Sequence, residues 1–438
     1  MRTPGHNKIA PRRRGLRPAF DRLDDRTLLS GLTPAEVAAA YGLDGLTFSA
    51  PNGSSVPGNG AGETIALIEA YHDPTLASDL QTFDQAYGLP NPALSVVDLA
   101  GPEVDFGWTL EESLDVEWTH AIAPAANILV VEASSQSLKP LIAAVNVARN
   151  TPGVVAVSMS WGFNEFAHET AYNSTFTTPA GHTGITFLAA SGDAGPKSGP
   201  EWPSSAPNVV AVGGTTLVTD ITGNYKVEFP WSGSSGGYSK FEPEPNYQRS
   251  VQDTGKRSSP DVSFDGDPNT GVSVYETSPI TGQGTWEVVG GTSLGTPAWA
   301  AIIAIADQGR AVMGQSSLDG PTQTLPTLYA LPASDFHSVA ATTHRGKLPA
   351  TATANTVTGR GSPNGALLVN GLVSSDVSAP LITNANVERL ASKASRSKAE
   401  RKRKTEPKIV RLALNLAGVA KLRVVQMRVN SLDLSDWH

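Results

Sequence analysis

Residues 127–160 read NILVVEASSQSLKPLIAAVNVARNTPGVVAVSMS, and this stretch decides the fold class. Asn127–Ala133 and 154–160 are short, continuous, β-branched apolar runs, the pattern of parallel strands covered on both faces. Between them, 138–149 is long enough for an α-helix. Strand alternating with helix argues for a wound α/β sheet. Working outward, the same texture predicts strands at Thr64–Ala70, 94–99, 185–191 and 208–215, with helices at Leu76–Tyr87 and 110–123. The expectation is an α/β protein whose wound, mostly parallel sheet carries helices on both faces.

The flanks differ from this middle. Residues 220–287 gather Gly, Ser, Pro and Asn around Ser232 to Gly237 and Asp265 to Thr270, and read as long surface loops of the kind that build a cleft on an α/β scaffold. Beyond them, 298–306 reads as a buried helix. The ends are basic: residues 1–30 hold eight Lys/Arg against three Asp/Glu, and residues 380–438 hold thirteen against five. Three segments are therefore expected, a basic leader at 1–30, a catalytic domain at 31–378 and a basic tail at 379–438. The tail reads as solvated, with an anionic surface anchor as the sharper alternative.

Overall the 438 residues carry a net charge of −8, but residues 31–379 alone carry −21. Self-repulsion of that size relaxes as carboxylates protonate, which fits a protein working in acid, although simple solubility also accounts for it. With 39% hydrophobic and 17% charged residues the middle can fill a core. The absence of cysteine excludes disulfides, thiol catalysis and thiolate metal sites. No apolar run is long enough to span a membrane, and none near the start resembles a signal-peptide core. Leu23 to Ser30 resembles a short leader of exported bacterial proteins, which points to an exported or extracellular location.

The strongest local signal is Gly290-Gly291-Thr292-Ser293-Leu294-Gly295-Thr296-Pro297. Small neighbours let a substrate backbone approach the serine, and Pro297 suits the first turn of a helix. Ser293 then sits near a helix N-terminus, where N–H groups favour a developing oxyanion. A Gly-rich turn capping a helix is the plainer alternative. A serine nucleophile needs a base, yet none of the eight histidines lies in the His-Gly-Thr-His setting of subtilisin-like proteases, and Gly181-His182-Thr183-Gly184 only echoes it. Glu111 and Asp115 offer another base. At i and i+4 they share one helix face, close enough to share a proton, although an acidic first turn would also complement the helix dipole. Asp193, in Ser191-Gly192-Asp193-Ala194-Gly195, follows a predicted strand, where functional side chains gather in α/β sheets. An Asp in a Gly-rich turn reads the same way.

Taken in order, Glu-x-x-x-Asp followed by Ala121-Ile122-Ala123-Pro124, then Ser-Gly-Asp-x-Gly, then Gly-Thr-Ser-x-x-x-Pro resembles the sedolisin family of serine-carboxyl peptidases. Ser158-Met159-Ser160-Trp161-Gly162, Ala211-Val212-Gly213-Gly214-Thr215, Ser259-Pro260-Asp261-Val262 and Asp267-Pro268-Asn269-Thr270-Gly271-Val272 agree with it, from near Thr33 to about Gly371. The resemblance implies a subtilisin-like fold and an acid-acting serine endopeptidase. It makes Ser293 the nucleophile, Glu111 the general base, Asp115 its proton partner and Asp193 a protonated carboxyl in the oxyanion hole. Glu69 and Trp161 resemble positions that extend the hydrogen-bond network. The implied partner is a protein or peptide substrate, with no nucleic acid.

Two departures stand out. Members carry a long prosegment, whereas about thirty residues precede the similarity here, which leaves open folding without that segment or a longer parent chain. Members also bind calcium through an Asp-Ile pair, backbone oxygens and a second Asp. Here those carboxylates are replaced by Ser338 and Asn355, which removes most of the charge a hard cation needs. No metal or other cofactor is expected. Two rivals remain. Gly291-Thr292-Ser293-Leu294-Gly295 satisfies the Gly-x-Ser-x-Gly pattern of α/β-hydrolase esterases, with Asp335 and His337 following in the required order. A pseudo-peptidase that keeps the fold for binding is the other.

Overall fold

A computed structural model describes residues 31–339, 342–343, 346–347, 356–375, 407–410 and 427–430. The expected leader at 1–30, most of the tail at 379–438 and Asn355 therefore lie outside the described residues. The chain divides into a unit ending at Val377 and a second from Ser378. Of the second, Pro407–Val410 and Met427–Asn430 form an antiparallel pair.

In the first unit, α1 (Pro34–Tyr41) precedes β1 (Thr64–Ala70), α2 (Leu76–Tyr87), β2 (Ala93–Asp98), α3 (Phe106–Ile122), β3 (Asn127–Ala133), α4 (Leu138–Asn150) and β4 (Val154–Met159). Then follow β5 (Thr186–Ala190), β6 (Val209–Thr219), β7 (Tyr225–Pro230), β8 (Val262–Asp265), β9 (Val272–Thr277), β10 (Gly284–Val289) and α5 (Thr292–Val312). The main sheet has the order β7-β6-β5-β4-β1-β3-β2, with β8 also paired to β6. Every pair in it is parallel except β6–β7.

Alternation along the strands sorts the core into two layers. Ile65, Leu67, Ile128 and Val130 face the layer that holds α2, α3 and α5, whereas Ala66, Ile68, Leu129 and Val131 face the layer that holds α4. The α4 side chains that meet the sheet are Leu141, Ala144, Val145 and Ala148, one face of a 3.6-residue repeat. The last α3-side position of three strands is an acid. Asp98, Glu132 and Glu69 are in register on β2, β3 and β1, so three carboxyls form a row at the C-terminal edge of the sheet, beneath α3.

The region expected to be loop differs most. β7, β8, β9 and β10 all lie within residues 220–289, as do strands at Gly237–Pro243 and Lys256–Ser259. β9 and β10 form an antiparallel ribbon, one strand of which is mostly exposed. Gly and Pro at the turns of short strands gave the loop-like composition. α3 also begins at Phe106, four residues before the expected start, because Asp105 caps it by accepting from the Gly107 and Trp108 N–H groups. α1 opens with a capping box between Thr33 and Glu36.

Candidate functional site

α5 starts at Thr292, directly after Gly291, whose φ of 105° only glycine adopts without strain. Ser293 is thus the second helical residue and partly exposed. Pro297 does not open the helix as expected. It lies inside it, in the second turn, and because proline has no N–H it leaves the Ser293 carbonyl without its helical donor. The Ser160 hydroxyl at the end of β4 approaches that carbonyl at 3.4 Å while donating to Asp115 Oδ2 at 2.7 Å.

Glu111 lies in the second turn of α3 and is hydrogen-bonded to Ser293. Burial pushes its carboxyl up to about 7, partly offset by that hydrogen bond, and Asp193 nearby adds to the rise. Asp115, one turn further on, is wholly buried. Its carboxyl is raised well above the usual range by burial first, then by Glu69 and Glu111. The direct partner of Asp115 is Glu69, to which it donates, while Glu111 acts on it through charge. Trp161 is adjacent through the backbone, its Nε1–H donating to the Ile68 carbonyl at 3.1 Å.

Asp193 follows β5 and faces the start of α5. Its Oδ1 accepts from the Thr292 N–H at 2.9 Å and from the Thr292 hydroxyl at 2.7 Å. Its Oδ2 lies close to the Cα of Gly291, where an added Cβ would stand 2.8 Å away. Ser293, Glu111, Asp115, Asp193 and Glu69 are therefore one constellation, with Trp161 bracing the strand that carries Glu69. His337 is elsewhere: its ring stacks on Tyr225 at 3.8 Å, and no hydrogen bond joins it to Ser293 among the described residues.

Sequence reasoning missed Ser160, Thr292 and Glu201. Glu201 carries a half-buried carboxyl against the Cα atoms of Gly162 and Gly192, so either glycine would lose that space if it gained a side chain. Burial raises its pKa, and Asp193 adds to the rise. The glycines were visible in the sequence, but the residue that fills the space above them was not.

Two metal questions arise. Ser338 is exposed and offers a hydroxyl rather than a carboxylate. Elsewhere, ligand atoms of His72, Asp98 and Glu132 lie within 4.8 Å of one another, but His72 Nδ1–H already donates to Glu132 Oε1 and Oε2 at 3.0 and 2.9 Å.

A parallel sheet with α5 and α3 meeting over its edge, and a serine at the α5 N-terminus facing a carboxyl rather than an imidazole, stand within a subtilisin-like fold. Residues 109–320 match the model of the subtilase family. Kumamolisin of Bacillus sp. (strain MN-32) is 31% identical over 75% of this chain and 60% of its own length. Tripeptidyl-peptidase 1 of Homo sapiens is 27% identical over 66% of this chain and 54% of its own. The solved structure of Pseudomonas sedolisin, a serine-carboxyl proteinase complexed with two molecules of pseudo-iodotyrostatin, superimposes with a TM-score of 0.66 at 27% identity, covering 79% of this chain and 99% of that one. The chain belongs to the sedolisin family and is kumamolisin-like. It spans little more than half the length of these two curated relatives.

Proposed function

We propose that this chain is an acid-acting serine-type endopeptidase in which Ser293 attacks the peptide carbonyl and Glu111 takes its proton. The observation that carries the reading is the hydrogen bond between Ser293 and a Glu111 carboxyl that burial has lifted to about 7. Such a carboxyl is a stronger base, once ionised, than an exposed glutamate. Burial also raises Asp115 and Glu69, and a proton held on either stabilises the Glu111 carboxylate.

In the first half-reaction the Ser293 Oγ–carbonyl carbon bond forms, and the serine proton passes through Glu111 to the departing amine as the C–N bond breaks. Water then repeats the sequence on the acyl-enzyme. Thr292 holds Asp193 Oδ1 by two donors, which leaves Oδ2 to carry a proton toward the oxyanion. An acid-acting peptidase is suited to a compartment outside the neutral cytosol, in agreement with the leader-like segment near the start. Among the described residues no helix is long and apolar enough to cross a membrane.

A digest of a denatured protein at acid pH, read by mass spectrometry, tests the proposal. Internal cuts made by the wild type and absent with Ser293→Ala are expected. Stepwise loss of three-residue units from the N-terminus would assign the tripeptidyl mode named for one relative. Equal cutting by Ser293→Ala would overturn the nucleophile.

A further inference from the structure

Behind the Ser293–Glu111 pair, the buried carboxyls continue. Asp115 donates to Glu69. Glu69 feels the charge of Glu112 above any other group. Glu112 donates to Glu132, and Glu132 accepts from His72 Nδ1–H at 2.9 Å. Glu69, Glu112, Asp115 and Glu132 are at most 1% exposed, whereas the His72 side chain is 32% exposed.

Both oxygens of Glu69, Asp115 Oδ1 and Glu112 Oε1 are buried with no hydroxyl, amide or cationic donor in reach. Buried acceptors without a donor are costly. Protons on the carboxyls themselves can satisfy them. The other groups facing the row are also acids: Asp73 after β1, Asp98 on β2, Glu111 on α3, with Asp79 on α2 and Glu276 on β9 acting on Asp73. No Lys or Arg is ion-paired with any of them among the described residues.

We propose that Glu69, Glu112, Glu132 and His72 form a proton-conducting branch that joins the Glu111–Asp115 pair to solvent at His72, without passing through the substrate cleft. The inference rests on the peptidase reading for its purpose. Within each half-reaction the serine or water proton passes through Glu111, and no net proton is gained or lost. The branch therefore serves to keep the protonation of the pair in equilibrium with solvent while substrate or acyl chain covers Ser293. The step from Glu69 to Glu112 has no direct hydrogen bond, and rotation of the Glu112 carboxyl, whose Oε1 is unengaged, closes it. Glu112, Glu132 and His72 act through the pair and are positioning residues, not catalytic ones.

Exchange of the buried carboxyl protons after dilution into D2O, followed by the infrared carboxyl stretch, measures the branch without turnover. Removing a histidine shuttle in His72→Ala should slow the slow-exchanging carboxyls by about tenfold or more, and added imidazole should restore the rate. Glu132→Gln, which keeps the shape but cannot relay, should slow exchange and be insensitive to imidazole. On peptide substrate, kcat of His72→Ala should rise with buffer concentration while KM and wild-type kcat do not.

Wild-type exchange rates in folded His72→Ala would overturn the branch, whatever Glu132→Gln does. His72 is partly exposed, so its variant decides the question if the buried Glu132→Gln fails to fold. Slowed exchange in a protein that cleaves no peptide would uphold the branch and refute the peptidase reading instead.

Discussion

Raising the pH from about 4.5 to about 7.5 should weaken the fold, because the buried carboxyls lose their protons more readily once unfolded. Glu169 is wholly buried, and burial lifts it from 4.5 to about 7. Below the unfolded pKa of about 4.3 both states hold the proton, and the full stability is present. As the pH rises toward about 7 the unfolded chain ionises while the folded one does not. Stability falls by about 1.4 kcal/mol per pH unit, or about 3 kcal/mol for this one group.

Burial raises Glu69, Glu112, Asp115, Glu117 and Asp265 as well. His120 and His337 are held down by burial and act in the opposite sense, but the carboxyls outnumber them. Domains are typically stable by about 5–15 kcal/mol, so a few such groups suffice to bring the protein near its unfolding point at neutral pH. Urea unfolding of Ser293→Ala, which cannot digest itself, across this pH range should show a midpoint that falls steadily at constant m. A midpoint that holds or rises would refute the reasoning, because it would mean that the carboxyls ionise freely in the folded state.

Other consequences concern single residues. Glu111→Gln and Asp115→Asn should each lower kcat by roughly 10²- to 10⁴-fold, and the double variant should lose far less than the product if the two act as a unit. Glu201→Gln should reduce cleavage after Lys or Arg relative to cleavage after Leu by roughly tenfold, since its carboxyl lies between Gly162 and Gly192 beside Asp193. Peptide-library cleavage ratios measure this, and an unchanged ratio would remove Glu201 from the specificity surface. Because Ser338 supplies no carboxylate, EDTA and added calcium should leave the melting temperature unchanged at acid pH. A calcium-dependent rise would restore a metal site.

What the sequence disclosed followed from strong periodicity. The central strands are buried on both faces, so their runs at Thr64–Ala70 and Asn127–Ala133 are continuous and were read to the residue. The ribbon of β9 and β10 is short, antiparallel and solvent-facing on one strand, and its composition cannot be told from loop. The Thr33–Glu36 capping box was legible in principle as Thr-x-x-Glu.

At the site, Glu111 and Asp115 could be paired from their i, i+4 spacing, and Ser293 from its glycines. Linking Asp115 to Glu69, and Glu112 to Glu132, needs the register of β1 against β3 beneath α3, which no local pattern contains. Pro297 misled because proline favours a first turn. Inside α5 it frees the Ser293 carbonyl that Ser160 approaches.

The central claim is that a carboxyl, not an imidazole, takes the Ser293 proton. The most direct measurement is the pH–rate profile of kcat on one peptide for the wild type, Glu111→Gln and His337→Ala. The account predicts a wild-type rate that rises as Glu111 ionises toward about pH 7, an unchanged profile in His337→Ala, and a loss of roughly 10²-fold or more at every pH in Glu111→Gln. Full activity in Glu111→Gln, or an optimum above neutrality that vanishes with His337, would contradict it.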